Sequence, residues 1–140
     1  MKILVDTNIL LDVLDARKEF YEHSAAVWTL IETGQVEGYI SAISFNNINY
    51  IIARKHSAKK AHQVMVLLRD IFKVVALTPQ IINQAIDSSF ADFEDALQYF
   101  SAVHVQADVI LSRNVKDFRK SDISVLTPAE FIETQTDLEL

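Results

Sequence analysis

Several stretches of this chain are short, uninterrupted apolar runs: "KILV" at the start, "GYIS", "KVVAL" past the middle, then "DVILS" and "ISVL". A strand that alternates apolar and polar residues has one wet face, whereas a continuous run is buried on both. Segments with helical apolar spacing separate these runs. One helix is expected from about residue 9 through the early teens. Another covers "YEHSAAVWTLIETG" and stops at Gly34, and "SFNNINYIIARK" follows with Ser44 as its N-cap. "KKAHQVMVLLRDIF" presents a broad apolar face from Ala61, Val64, Met65, Leu67, Leu68, Ile71 and Phe72. Thr78-Pro79 and Thr127-Pro128 each supply a cap and a first-turn proline, and "FEDALQYFSAVHVQA" completes the set. Strands that alternate with helices in this way predict an α/β fold, three layers deep (α/β/α), around a central parallel sheet. With no repeat, low-complexity segment or Pro/Gly-rich linker, residues 1–140 are expected to form one domain.

The chemistry has fewer options than the fold. Only Gly34 and Gly38 are present, so there is no glycine-rich phosphate loop and no dinucleotide-binding turn. There is no cysteine, which removes thiolate metal sites and disulfides. The absence of a membrane-length apolar run and of an export pattern leads to the expectation of a cytoplasmic protein. The net charge of -6 argues against holding nucleic acid by bulk charge. Basic residues nevertheless cluster at Arg54-Lys55-His56 with Lys59-Lys60, and at Arg113, Lys116, Arg119 and Lys120. From Ser121 onward there are only acids: Asp122, Glu130, Glu133, Asp137 and Glu139. The basic segments read either as solvated loops or as a rim for a phosphate backbone.

In open parallel sheets, reactive groups gather beyond the carboxyl ends of the strands. Asp6 and Asn8 follow the first strand there. Ser112, Arg113 and Asn114 follow "DVIL", with Asp117 just after, and Asp92, Glu94 and Asp95 open the "FEDALQYF" helix. Each has an ordinary alternative. Asp6 or Thr7 could cap the first helix, Asp92 could cap the later one with Glu94 and Asp95 favoured by its dipole, and Asp117 could be a turn residue. Brought together, Asp6, Asp95 and Asp117 would repel one another unless a hard divalent cation compensated them.

"ILVDTNILLDVL", "DFEDALQYFSAV" and "VILSRNVKDF" with "ISVLTPAEF", in that order, resemble the PIN domain, and within it the bacterial proteins that include VapC-type toxins. The resemblance runs over nearly the whole chain. It implies a small α/β/α domain that binds Mg²⁺ or Mn²⁺, cuts RNA and is held inactive by an antitoxin. By position, Asp6 and Asp95 match two of the family's metal-ligating acids. In "SRNVKDF" the first acidic position falls at Asn114, which leaves Asp117 as the carboxylate to serve. Asn8 and Ser112 resemble supporting polar residues. Arg54, Lys55, Arg113 and Lys116 are then the candidates for steering RNA.

The sequence departs from the family at its second acid, which lies in a pattern resembling Ser/Thr-x-x-Glu-x-x-Tyr. Here the segment is "SFNNINY", with Ser44 and Tyr50 in register and Asn47 in place of the Glu. Helix propensity does not account for three asparagines in seven residues, since each costs roughly 0.6 kcal/mol relative to Ala. An amide supplies neither charge nor a general base. The expectation is therefore a one-metal site of reduced activity, and the rival is a non-catalytic PIN scaffold that binds RNA or a protein. A phosphoacceptor receiver domain is disfavoured, because "KVVALTPQ" offers no acceptor Asp. The apolar face of residues 61–72, together with the resemblance, points to a homodimer.

Overall fold

Ile3, Leu4 and Val5 fill β1 (Lys2–Val5) with side chains that have no exposure to solvent. A strand this apolar needs cover on both faces, and the fold supplies it. The computed structural model describes residues 1–118 and 121–139, except for the side chains of 137–139. Arg119 and Lys120 of the second basic cluster, and the side chains of Asp137 and Glu139, lie outside the described residues.

The sheet is parallel throughout, in the order β3-β2-β1-β4-β5, with β2 at Glu37–Ser41, β3 at Lys73–Val75, β4 at Val109–Leu111 and β5 at Ser124–Leu126. Side chains alternate across it. Ile3 and Val5 join Val27, Trp28, Ile48, Leu68 and Phe131 in one core, beneath α1 (Thr7–Leu14), α2 (Tyr21–Glu32), α3 (Ala42–Lys55), α4 (Ala58–Ile71) and α7 (Pro128–Glu139). Leu4 and Ile110 join Ile81, Leu97 and Phe118 in the other, beneath α5 (Pro79–Asp87), α6 (Phe93–His104) and a 3-10 turn at Val115–Phe118. This is the expected three-layer arrangement. The chain moves outward from β1 through β2 to β3, then returns to the opposite side of β1 for β4 and β5. The carboxyl ends of β1 and β4 therefore flank the point where connections diverge, which is where open parallel sheets form a crevice.

Two local expectations need correction. Helix α3 starts at Ala42, not after Ser44: Ser41 is the N-cap, and its hydroxyl accepts from the Ile43 N–H at 3.3 Å. The chain passes from strand to helix at Ser41 without a loop, so Ser44 lies inside the first turn and is buried. The apolar face of 61–72 is mostly core, since Ala61, Val64, Leu68 and Phe72 are buried while Leu67 is exposed. Helix α2 ends as expected, with Gly34 at φ +78°, a conformation costly for any residue with a Cβ. Among the described residues, no helix is long and apolar enough to cross a membrane.

Candidate functional site

Asp6 ends β1 and begins α1. Its backbone N–H donates to Leu111 O at 3.0 Å, extending the β1–β4 ladder by one rung. One carboxylate oxygen accepts from the Thr7 N–H at 2.7 Å, which caps α1, and the other accepts from the Ser112 hydroxyl at 2.9 Å. Ser112 Oγ in turn accepts from the Asn114 N–H. Asp6 is thus both a cap and the inner wall of a cavity. The cavity is about 660 Å³, lined by the acids Asp6, Asp92, Glu94 and Asp95, by the amides Asn8, Asn46, Asn47 and Asn114, and by Tyr50.

Asp92 caps α6 by accepting from the Asp95 N–H at 3.0 Å, which orients the first turn of that helix. Burial raises the Asp6 pKa to about 6 against the lowering effect of Ser112 and Thr7, with Glu94 adding to the rise. Asp95 is raised further, to about 7, first by burial and then by the charges of Asp92, Asp6, Asp117 and Glu94. These carboxylates sense one another as like charges confined in one place.

The structure brings the predicted residues together unevenly. Asp6, Asn8, Asn47, Asp95 and Asn114 share the cavity. Asp117 does not line it. It faces an adjacent hollow of about 240 Å³, together with Lys116, and this hollow shares Asp92 and Asp95 with the main cavity. Among the described residues, no three Asp, Glu, His or Cys side chains are grouped as ligands of one ion.

Of the basic candidates, Arg54 donates to the Tyr50 hydroxyl and so stands one side chain behind the cavity wall. Lys55 is paired with Asp15 at 3.1 Å. Arg113 turns away from the cavity: its guanidinium lies over the Phe20 ring, 4.1 Å from the centroid, and its Nε is 3.2 Å from Asp12 Oδ2. Arg113 is engaged because the acid behind it is buried. Asp12 has no solvent exposure at all.

A family model described as "PIN domain" matches residues 2–116. The chain belongs to the PIN domain family. It is 29% identical over 137 residues to Ribonuclease VapC1 of Aquifex aeolicus (strain VF5), covering 94% of each chain. In fold it is similar to VapBC2 from Rickettsia felis bound to a promoter DNA fragment, with a TM-score of 0.72 at 12% identity over 91% of this chain and 98% of that one. It is also similar to VapBC-1 from nontypeable Haemophilus influenzae, with a TM-score of 0.68 at 18% identity over 92% and 99%.

Within this PIN fold, Glu94 was placed by sequence reasoning among the polar groups beyond the strand ends without being assigned to the site, and Gln98 and Asp12 were not singled out. Glu94, read there as a dipole-favoured first-turn acid, turns inward. Its Oε1 accepts from the Asn47 amide at 2.9 Å and from the Thr7 hydroxyl at 3.4 Å. Gln98, one turn further along α6, is fully buried and donates to Ser44 Oγ at 3.0 Å and to Thr7 Oγ1 at 3.4 Å. Thr7 and Ser44 share a 2.8 Å hydrogen bond, so α1, α3 and α6 are tied together directly behind the acids. For Asp12 and Gln98 the available signal was a polar residue inside an otherwise apolar helical stretch, as in "ILLDVL" and "ALQYF".

Proposed function

We propose that this PIN protein is a metal-dependent endoribonuclease of the VapC toxin type, acting as one domain. The observation that carries this reading is that Asp6, from the end of β1, and Asp95, from the start of α6, share a cavity in which both carboxyls are raised into the neutral range. Such a pocket gains from a cation. Its donors are carboxylate and amide oxygens without sulfur or imidazole, a set that suits Mg²⁺ or Mn²⁺.

Asp6, Asp95 and Asp117 would hold the ion, with Asp117 reaching across from the neighbouring hollow. When bound, the ion supplies Lewis-acid activation of water and charge for the leaving oxygen. The chain's own residues do the rest. Ser112 fixes the Asp6 carboxylate through its hydroxyl and ties it to the Asn114 backbone. Asn8 and Asn114 present amides along the cavity wall for hydrogen bonds to ribose and phosphate. Arg54, behind Tyr50, and Lys116, beside Asp117, offer positive charge at the rim, whereas Lys55 and Arg113 serve the fold through Asp15 and Asp12. Similarity to Ribonuclease VapC1 supports an RNA substrate, and likeness to VapBC assemblies supports an antitoxin partner. Exposed Leu67 and Val74 support self-association into a homodimer.

The test is structured RNA incubated with purified protein and Mn²⁺, beside an Asp6→Asn control and an EDTA control. Cleavage should need the ion. Loss of Asp6 should lower the rate by at least the roughly 10- to 100-fold that outer-shell changes at metal sites reach. Equal cleavage by both proteins would trace the activity to a contaminant. A non-cutting PIN scaffold is the second reading, favoured by the lack of a grouped ligand set among the described residues. RNA bound without cleavage in saturating Mn²⁺ would establish it.

A further inference from the structure

We infer that Glu94 supplies the carboxylate that the PIN pattern places at position 47, an exchange in which the acid comes from α6 instead of α3. This inference rests on the metal-dependent reading above. Asn47 stands where the pattern expects Glu, and its side-chain nitrogen reaches Glu94 Oε1 at 2.9 Å. A glutamate at 47 would be one methylene longer than the asparagine and would direct its own carboxylate into the space that Oε1 now fills. Two acids cannot share that space without a cation between them. An amide donor at 47 accommodates the acid from α6 and aims it at the same time.

The helix-dipole reading of Glu94 explains none of this. A first-turn acid stabilised only by the dipole needs no partner and stays in water. Glu94 is instead half-buried on the cavity wall and held by donors from α1 and α3. Both hydrogen bonds fall on Oε1, and among the described residues none falls on Oε2, which leaves one carboxylate oxygen for a ligand. Thr7, which makes the second of these bonds, adjoins Asp6, and Gln98 braces Thr7 and Ser44 from behind. The main cavity is then lined by the carboxylates of Asp6, Glu94 and Asp95, with Asp117 in the adjacent hollow. Asn47 by itself does not signal an activity in decline.

The experiment is Mn²⁺ titration by calorimetry of metal-free wild type, Glu94→Gln, Asp6→Asn and the double variant Asn47→Glu with Glu94→Gln. Each is first checked for a wild-type melting profile. Glutamine keeps the acceptor for Asn47 and removes only the charge. Glu94→Gln should weaken Mn²⁺ binding at least about tenfold, and the double variant, with the acid moved to α3, should recover most of the loss. Should Glu94→Gln fail to fold, the double variant Glu94→Ala with Asn47→Ala removes the charge together with its amide donor and is compared with Asn47→Ala alone. Wild-type affinity in Glu94→Gln alongside a loss in Asp6→Asn overturns the exchange and leaves the metal-dependent reading standing. Wild-type affinity in both removes that reading and the exchange with it.

Discussion

Arg113 adjoins two residues on the path to the cavity, Ser112 and Asn114, yet its own charge is directed away from it. It faces Asp12, whose carboxyl is pushed up by burial even though Arg113 and Arg17 both pull it down. Arg17 approaches Asp12 at 3.5 Å and the Ser24 hydroxyl donates to it at 3.3 Å, so removing Arg113 leaves the acid only partly compensated. Breaking a fully buried pair costs roughly 3–5 kcal/mol, and with Arg17 remaining and Arg113 partly exposed, Arg113→Ala should cost about 2 kcal/mol. Urea unfolding at pH 7.5 measures this loss. The deficit should shrink as pH falls, because burial raises Asp12 and favours its protonated form; a deficit that does not vary with pH would mean lost packing on Phe20 and not a stranded charge. Sequence reasoning assigned Arg113 to RNA because nothing in a string of residues tells which neighbouring acid has been buried. Asp6 and Asp95 were legible for the opposite reason. Each adjoins an element boundary, and boundaries can be read from periodicity.

At the scale of elements, the alternation of apolar runs and helical segments was enough to order five strands and their helices, because burial on both faces leaves a direct mark on composition. The α3 cap was not legible. Ser41 and Ser44 both precede apolar helical residues, and only the absence of a loop after β2 decides between them. The join between α2 and β2 is tighter still. A Cβ placed on Gly38 would lie 2.7 to 3.0 Å from three side-chain carbons of Ile31, two of them close to its backbone. Gly38→Ala should therefore destabilise by about 1–3 kcal/mol, the usual cost of overpacking. Pairing it with Ile31→Val should return part of that. A double-mutant cycle by chemical denaturation checks the coupling, and strict additivity would show that the strain lies elsewhere.

For the whole molecule, the acids in the cavity set how stability varies with pH. Asp6 and Asp95 titrate near 6 and 7 in the fold, against about 3.9 for an unperturbed Asp. The folded chain thus binds protons that the unfolded chain has already released. Their contribution is fully present below about pH 4 and is lost as pH rises through 6 and 7. In EDTA the melting temperature should climb as pH falls from 8 to about 5.5, and Asp95→Asn should flatten that climb. Saturating Mn²⁺ should flatten it too, since an ion stabilises the ionised form that protons otherwise relieve. An unchanged slope in Asp95→Asn would assign the effect to the general negative charge of the chain.

Strand order carries a consequence for synthesis. The cavity around Asp6 is completed by Asp92, Glu94, Asp95 and Asn114, its carboxylate is held by Ser112, and the rung that seats it belongs to Leu111. A ribosome that has released only the first three strands has therefore made a polypeptide with an aspartate but no crevice. The proposed chemistry would therefore be withheld from the nascent chain until its last third emerges.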